Sequence, residues 1–157
     1  MMPTQRYVSE ISNGTVIDHI PAGQALEVVR LLDLEKHRER VTIGLNLISP
    51  SLGRKDVVKI ENRELTPDEA NVISILAPDC TIAIISDYGV KRKFKVALPK
   101  EISDHGCCPN ASCISNHEPI GSKFNVSLLS NGVELHCHYC RETIRPKTPK
   151  FTAGRQI

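Results

Sequence analysis

An α+β chain in two unequal parts is predicted by three observations. Strand-like and helix-like patterns alternate in the order strand, helix, strand, strand, helix, strand, with one more strand appended, over the first two thirds of the chain. That alternation stops at Leu98-Pro99-Lys100-Glu101. Four cysteines in two close pairs then follow, Cys108 with Cys113 and Cys137 with Cys140. The βαββαβ order is that of a ferredoxin-like sandwich, with both helices packed on one face of an antiparallel sheet. The expected division is residues 1–99 for this sandwich and residues 100–157 for a small β-rich, metal-binding domain.

Tyr7 to Ile11 and Gly14 to Ile20 are rich in β-branched residues and are separated by an Asn13-Gly14 turn signal, so both read as extended chain. From Ala22 to Leu34, the apolar residues Ala25, Leu26, Val29 and Leu32 recur at helical spacing. Val41, Ile43, Leu45 and Leu47 alternate with other residues and predict one face of a half-buried strand. After the turn-rich Ile48-Ser49-Pro50-Ser51-Leu52-Gly53, a second strand turns Val58 and Ile60 one way and Lys55, Val57 and Lys59 the other. The second helix announces itself through Thr66 as N-cap, Pro67 at the first helical position, Glu69 completing a capping box and Leu65 as a hydrophobic staple. Its apolar face is Val72, Ile73 and Leu76, and Pro78 ends it. Strands at Cys80 to Ile85 and Val90 to Val96 complete the sandwich, the last with Lys91, Lys93 and Lys95 on one face. Beyond the boundary, Phe124, Val126 and Leu128 alternate, Ser130-Asn131-Gly132 turns, and Val133, Leu135 and Cys137 alternate on the return. Arg145 to Lys150 and the tail after it read as irregular.

Composition narrows the possible functions. The chain has 157 residues, 40% of them hydrophobic, but only 4% aromatic and no Trp, so its core must be built from Ile, Val and Leu. A net charge of +2 is too mild to make nucleic acid an expected partner. No run approaches the roughly 18 apolar residues of a membrane span. Met1-Met2-Pro3-Thr4 opens without an apolar signal segment, so a cytoplasmic location with reduced thiols is expected.

In that setting, a C-x4-C pair answered by a C-x2-C pair points to structural zinc, which takes four thiolates tetrahedrally from two short chelating loops. The alternatives are two disulfides of a secreted chain or a redox C-x2-C pair, for which the surrounding thioredoxin-like pattern is missing. Cys107 competes with Cys108, and Pro109, by fixing φ, favours Cys108. His117, His136 and His138 lie close in sequence but are not needed once four cysteines bind. Cys80, in an apolar strand, reads as a buried thiol. A closed four-thiolate site leaves no position for substrate, which argues against catalysis. A zinc-ribbon nucleic-acid-binding module is the alternative function, with Lys91 to Lys95 and Arg145 to Lys150 as its basic face.

Four segments carry a resemblance. Gly14-Thr15-Val16-Ile17-Asp18-His19-Ile20-Pro21, Arg40 to Leu47, Gly53 to Asn62 and Cys108-Pro109-Asn110-Ala111-Ser112-Cys113-Ile114 resemble, in order, the regulatory chain of aspartate carbamoyltransferase. The resemblance implies a non-catalytic subunit of pyrimidine biosynthesis, with an N-terminal allosteric domain and a zinc domain that docks on the catalytic chain. It implies nucleoside triphosphate effectors, CTP and UTP inhibiting and ATP opposing them, and a homodimer of regulatory chains. Carried over by motif, Asp18 and Lys59 address the ribose and base, His19 and Lys93 the phosphates, and Ile11 and Tyr88 the surroundings of the base, while Lys55 extends the phosphate or second-nucleotide site. The zinc ligands carry over as Cys108, Cys113, Cys137 and Cys140, and Asn110 as an interface residue. The chain departs from the family pattern at Glu10, at Ser112 and at Arg141-Glu142, where an acidic-then-basic order is reversed.

Overall fold

The structure, a computed structural model, describes residues 9–146 and residue 151. Its strands are β1 (Gly14–Pro21), β2 (Val41–Ser49), β3 (Gly53–Glu61), β4 (Thr81–Ser86), β5 (Gly89–Lys95), β6 (Glu101–Ser103), β7 (Lys123–Leu129), β8 (Gly132–Cys137) and β9 (Thr143–Ile144). The helices are α1 (Ala25–Leu31) and α2 (Pro67–Ile73). β1 to β5 form one antiparallel sheet in the order β2-β3-β1-β4-β5, and β6 to β9 form another in sequence order. The first order is that of the expected βαββαβ sandwich with β5 added at one edge, so the chain is α+β as read.

Ile17 and Ile20 of β1, Val58 and Ile60 of β3, and Ile82 and Ile84 of β4 are buried in one cluster with Ala25, Val28, Val29 and Leu31 of α1 and Ala70, Val72 and Ile73 of α2. Both helices therefore cover the same face of the sheet. The cluster continues through Val96 and Ile102 to Phe124, Leu135 and Ile144 of the second sheet. At the seam, the Ala97 N–H donates to Asn71 Oδ1 at 3.0 Å, and His105 Nδ1 lies 3.4 Å from the Leu31 carbonyl oxygen.

α2 starts as its sequence requires: Thr66 Oγ1 accepts from the Glu69 N–H and the Glu69 carboxylate accepts from the Thr66 N–H, both at 3.2 Å. α1 departs from expectation. It is shorter, and Val28 rather than Leu26 faces inward, leaving Leu26 47% exposed. The β2 alternation also breaks. Its register with β3 shifts between Gly44 and Leu47, Asn46 adopts φ 58°, and Leu45 is turned out to 48% exposure. A bulge of this kind inserts an unpaired residue and resets which side chains share a face. A similar shift in the β4–β5 pairing frees Lys91 from the Lys93 face, and Lys91 pairs with Glu64 at 3.2 Å instead.

At the N-terminal end, Tyr7 and Val8 lie outside the described residues, and Ser9 to Ile11 form no strand. Lys147 to Lys150 also lie outside them, but the irregular reading of the tail needs correction at Phe151, which is completely buried.

Candidate metal centre and open sheet face

The β7–β8 hairpin turns through Ser130 and Asn131, with Gly132 at φ 122°, and pairs Phe124 with Cys137 and Val126 with Leu135. Cys137 thus arrives at the hairpin's end, on its buried side. The chain then makes a tight knuckle in which the Arg141 N–H donates to the Cys137 carbonyl at 3.0 Å, bringing Cys140 round beside it. The opposing knuckle is organised by Asn116, whose Nδ2 donates to the carbonyls of Cys108 (2.9 Å) and Asn110 (2.8 Å).

The four thiols of Cys108, Cys113, Cys137 and Cys140 lie within 4.8 Å of one another. Cys108 Sγ is 3.6 Å from Cys140 Sγ, and Cys113 Sγ is 3.7 Å from Cys137 Sγ. These separations are far too long for the roughly 2.05 Å of a disulfide. They match the edge of about 3.8 Å expected of a tetrahedron with metal–sulfur bonds of about 2.3 Å. Burial pushes the Cys108 and Cys137 thiols up. At Cys113 burial acts the same way but is outweighed by the Ser115 hydroxyl and N–H, which draw it down to about 7. Four clustered thiolates, three of them buried, would repel one another without a cation, so the cluster suits a soft, tetrahedral divalent metal.

Cys107 points elsewhere, with its Sγ 3.1 Å from Asn116 Oδ1. His117 meets the Ala111 carbonyl at 2.7 Å and His136 meets Glu134 and Thr143, so neither joins the cluster, and His138 is absent from it as well. Cys80 is fully buried, and burial raises its thiol to about 12. Asn116 and Ser115 escaped the sequence reading, which followed only metal-ligating residue types.

The second constellation occupies the face of the five-stranded sheet that the helices leave open. One cross-strand row runs Lys59, Val16, Ala83, Lys93 across β3, β1, β4 and β5. The next row along β1 pairs Asp18 with Thr81 and Thr81 with Lys95. Directly opposed residues share a face, so these side chains stand on one surface. Small residues, Val16 and Ala83, make its floor between the two lysines.

A bulge in β1 brings in His19. Pairing with β3 shifts between Ile17 and Ile20, and His19 adopts φ 60°. Asp18 and His19 consequently both stand on the open side, where His19 Nδ1 is 3.2 Å from Thr81 Oγ1, while Ile17 and Ile20 both enter the core. Lys55 closes this end of the face, its Nζ 2.9 Å from Asp18 Oδ1. Burial raises the Asp18 pKa, but the Lys55 hydrogen bond and charge, together with the His19 N–H, hold it below its ordinary value.

Ile11 and Tyr88 lie at the opposite end. The Tyr88 N–H donates to the Ser12 carbonyl at 2.9 Å, and Lys59 Nζ donates to the Ser9 carbonyl at 2.7 Å, pinning residues 9–13 between the β4–β5 turn and β3. Ile11 is buried, whereas Tyr88 is 66% exposed. From Gly14 to Asp18 the face extends about 14 Å at the usual strand rise. Thr81 and the floor residues were missed from sequence because only the register reveals them.

Residues 6–97 match the family described as aspartate carbamoyltransferase regulatory chain, allosteric domain, and residues 100–148 match the metal binding domain of the same chain. Similar proteins include the aspartate carbamoyltransferase regulatory chain of Tolumonas auensis, 47% identical over 139 residues that cover 88% of this chain and 90% of the relative. That of Chromobacterium violaceum is 42% identical over 141 residues, covering 90% and 93%. That of Aliivibrio salmonicida is 45% identical over 139 residues, covering 88% and 90%. With a paired allosteric and metal-binding match along nearly its whole length, this chain belongs to the family of aspartate carbamoyltransferase regulatory chains.

Proposed function

We propose that the chain is a non-catalytic subunit in which residues 1–99 sense nucleoside triphosphates and residues 100–157, clamped by zinc on Cys108, Cys113, Cys137 and Cys140, dock on the catalytic chain. The observation that supports the sensing role is that Lys55 and His19 flank Asp18, and Lys59 and Lys93 stand in the neighbouring row, on the sheet face that the helices leave open. Lys93 and His19, extended by Lys55, answer a triphosphate, and Asp18 with Lys59 answers the ribose and base. Ile11 and Tyr88, at the far end, flank the base. CTP and UTP act as inhibitors and ATP opposes them.

Two surfaces support the assembly. β2 is a sheet edge without a charged residue, and Leu45, Ile48 and Leu52 are exposed on and beside it, at 48%, 74% and 45%. Such an edge invites strand pairing, which fits a homodimer of N-terminal domains. Beside the cysteine knuckles, Ile114 and Tyr139 are exposed and Asn110 is half-buried, a surface suited to the catalytic chain.

An effector acts only through unequal affinity for two enzyme states, with typical couplings of about 1 to 3 kcal/mol, roughly 5- to 150-fold. Titration of the purified holoenzyme with CTP and with ATP tests the reading. Opposite displacements of the aspartate saturation curve are expected, and curves indifferent to both nucleotides overturn it.

A further inference from the structure

Phe151 is a buried aromatic in a stretch of sequence otherwise rich in Pro, Lys and Thr, and neither the sensing role nor the cysteine set accounts for it. It has no exposed surface. Its ring packs edge-on against Phe124 with centroids 5.3 Å apart, and Phe124 is the cross-strand partner of the cluster residue Cys137. Its carbonyl accepts the Cys107 N–H at 2.8 Å, immediately before Cys108. Gly106 holds φ 78°, and a methyl group built there would run into the Phe151 ring. One residue from the C-terminal tail therefore touches both arms of the four-cysteine cluster, the 106–108 loop and the β7–β8 hairpin.

We infer that Phe151 is a positioning residue for the metal centre, a pin that keeps the two cysteine knuckles together and so governs how firmly the metal is held. This rests on the zinc reading above. The physical reason is that each knuckle supplies only two thiolates. Metal escapes when the knuckles part, and parting them must first expose the aromatic pair and break the bond to Cys107.

The test is transfer of zinc from the full-length chain to a chromogenic chelator, followed by absorbance, for wild type, Phe151→Ala, Phe151→Leu and Gly106→Ala. Phe151→Ala is expected to release zinc at least about tenfold faster, because losing part of the burial of an enclosed aromatic suffices for that factor. Phe151→Leu, which retains apolar volume and is the safer variant for folding, should fall between the two. Gly106→Ala should also accelerate release, and by less in the Phe151→Ala background, where the clashing ring is gone. CTP affinity of the same preparations should stay at the wild-type value. Release at the wild-type rate from both Phe151 variants overturns the pin. A wild-type chain that binds no zinc overturns the metal reading itself, a result distinct from unchanged release.

Discussion

Lys55 and Asp56, neighbours on β3, reach opposite faces of the sheet. Lys55 grips Asp18 at 2.9 Å on the open side. On the helix side, Asp56 is fully buried, and its carboxylate accepts the N–H groups of Gly23 (2.9 Å), Ala25 (3.1 Å) and Asn46 (3.0 Å). One dipeptide thus joins the open face, the start of α1 and the β2 bulge.

Asp56→Ala should destabilise the chain by at least about 1 to 3 kcal/mol, the cost of leaving the buried Ala25 N–H without a partner, with the part-buried Gly23 and Asn46 N–H groups adding to it. Asp56→Asn should cost less but still measurably, because one of its two acceptor atoms becomes a donor. Denaturant midpoints of the two variants check the ranking, and a neutral Asp56→Ala contradicts the bonding described.

Acid sensitivity follows from two depressed carboxylates. Asp18 is lowered by Lys55 and the His19 N–H against the opposing effect of burial, and Glu69 likewise by Arg63 and Thr66. A group whose folded pKa lies below its unfolded one stabilises above the unfolded pKa, and that contribution fades as pH falls through the folded value. The loss therefore begins below about pH 4.5, near the ordinary carboxylate values, and deepens toward lower pH. Lys55→Met should flatten this part of the stability–pH curve measured by circular dichroism, and an unaltered slope argues against the Lys55–Asp18 coupling.

The capping box gives a local prediction. Thr66→Ala removes the acceptor for the Glu69 N–H and should cost about 1 kcal/mol in thermal or urea denaturation.

Metal content separates the cysteines. Cys113→Ser should abolish stoichiometric zinc and unfold the second sheet, since structural zinc contributes about 10 to 16 kcal/mol in small peptides. Cys107→Ser and Cys80→Ser should keep the full metal content by atomic absorption. Zinc loss in Cys107→Ser would reassign the ligand set.

For the open face, Lys93→Ala should weaken CTP binding by calorimetry far more than cytidine binding. Equal losses count against a phosphate role for Lys93.

Much of this was legible in the residues because it is local. The α2 start is written in Thr66-Pro67-Asp68-Glu69, the hairpin in Ser130-Asn131-Gly132, and the thiol cluster in its two spacings. β3 was readable on both faces, and the alternation that sends Val58 and Ile60 inward also sends Asp56 there, a buried polar residue available as a signal. What stayed hidden depends on pairing between distant strands. Nothing near Leu45 announces that the register with β3 will slip, and the Lys59 to Lys93 row exists only once four strands are aligned. Phe151 was obscured by its polar neighbours, because composition averages over a tail while burial acts on single side chains.

The extra residue in β1 interrupts its pairing with β3 and places one more polar side chain on the open face. Deleting His19 would leave Ile17, Asp18 and Ile20 in plain alternation, with both isoleucines still inward and the φ 60° conformation gone. A single lost codon would thus yield a sheet that is easier to form, with an intact hydrophobic interior and one polar group fewer outside. At this position folding alone would not screen out a shortened chain, and the bulge's visible product is the Asp18–His19 pair side by side on the open face.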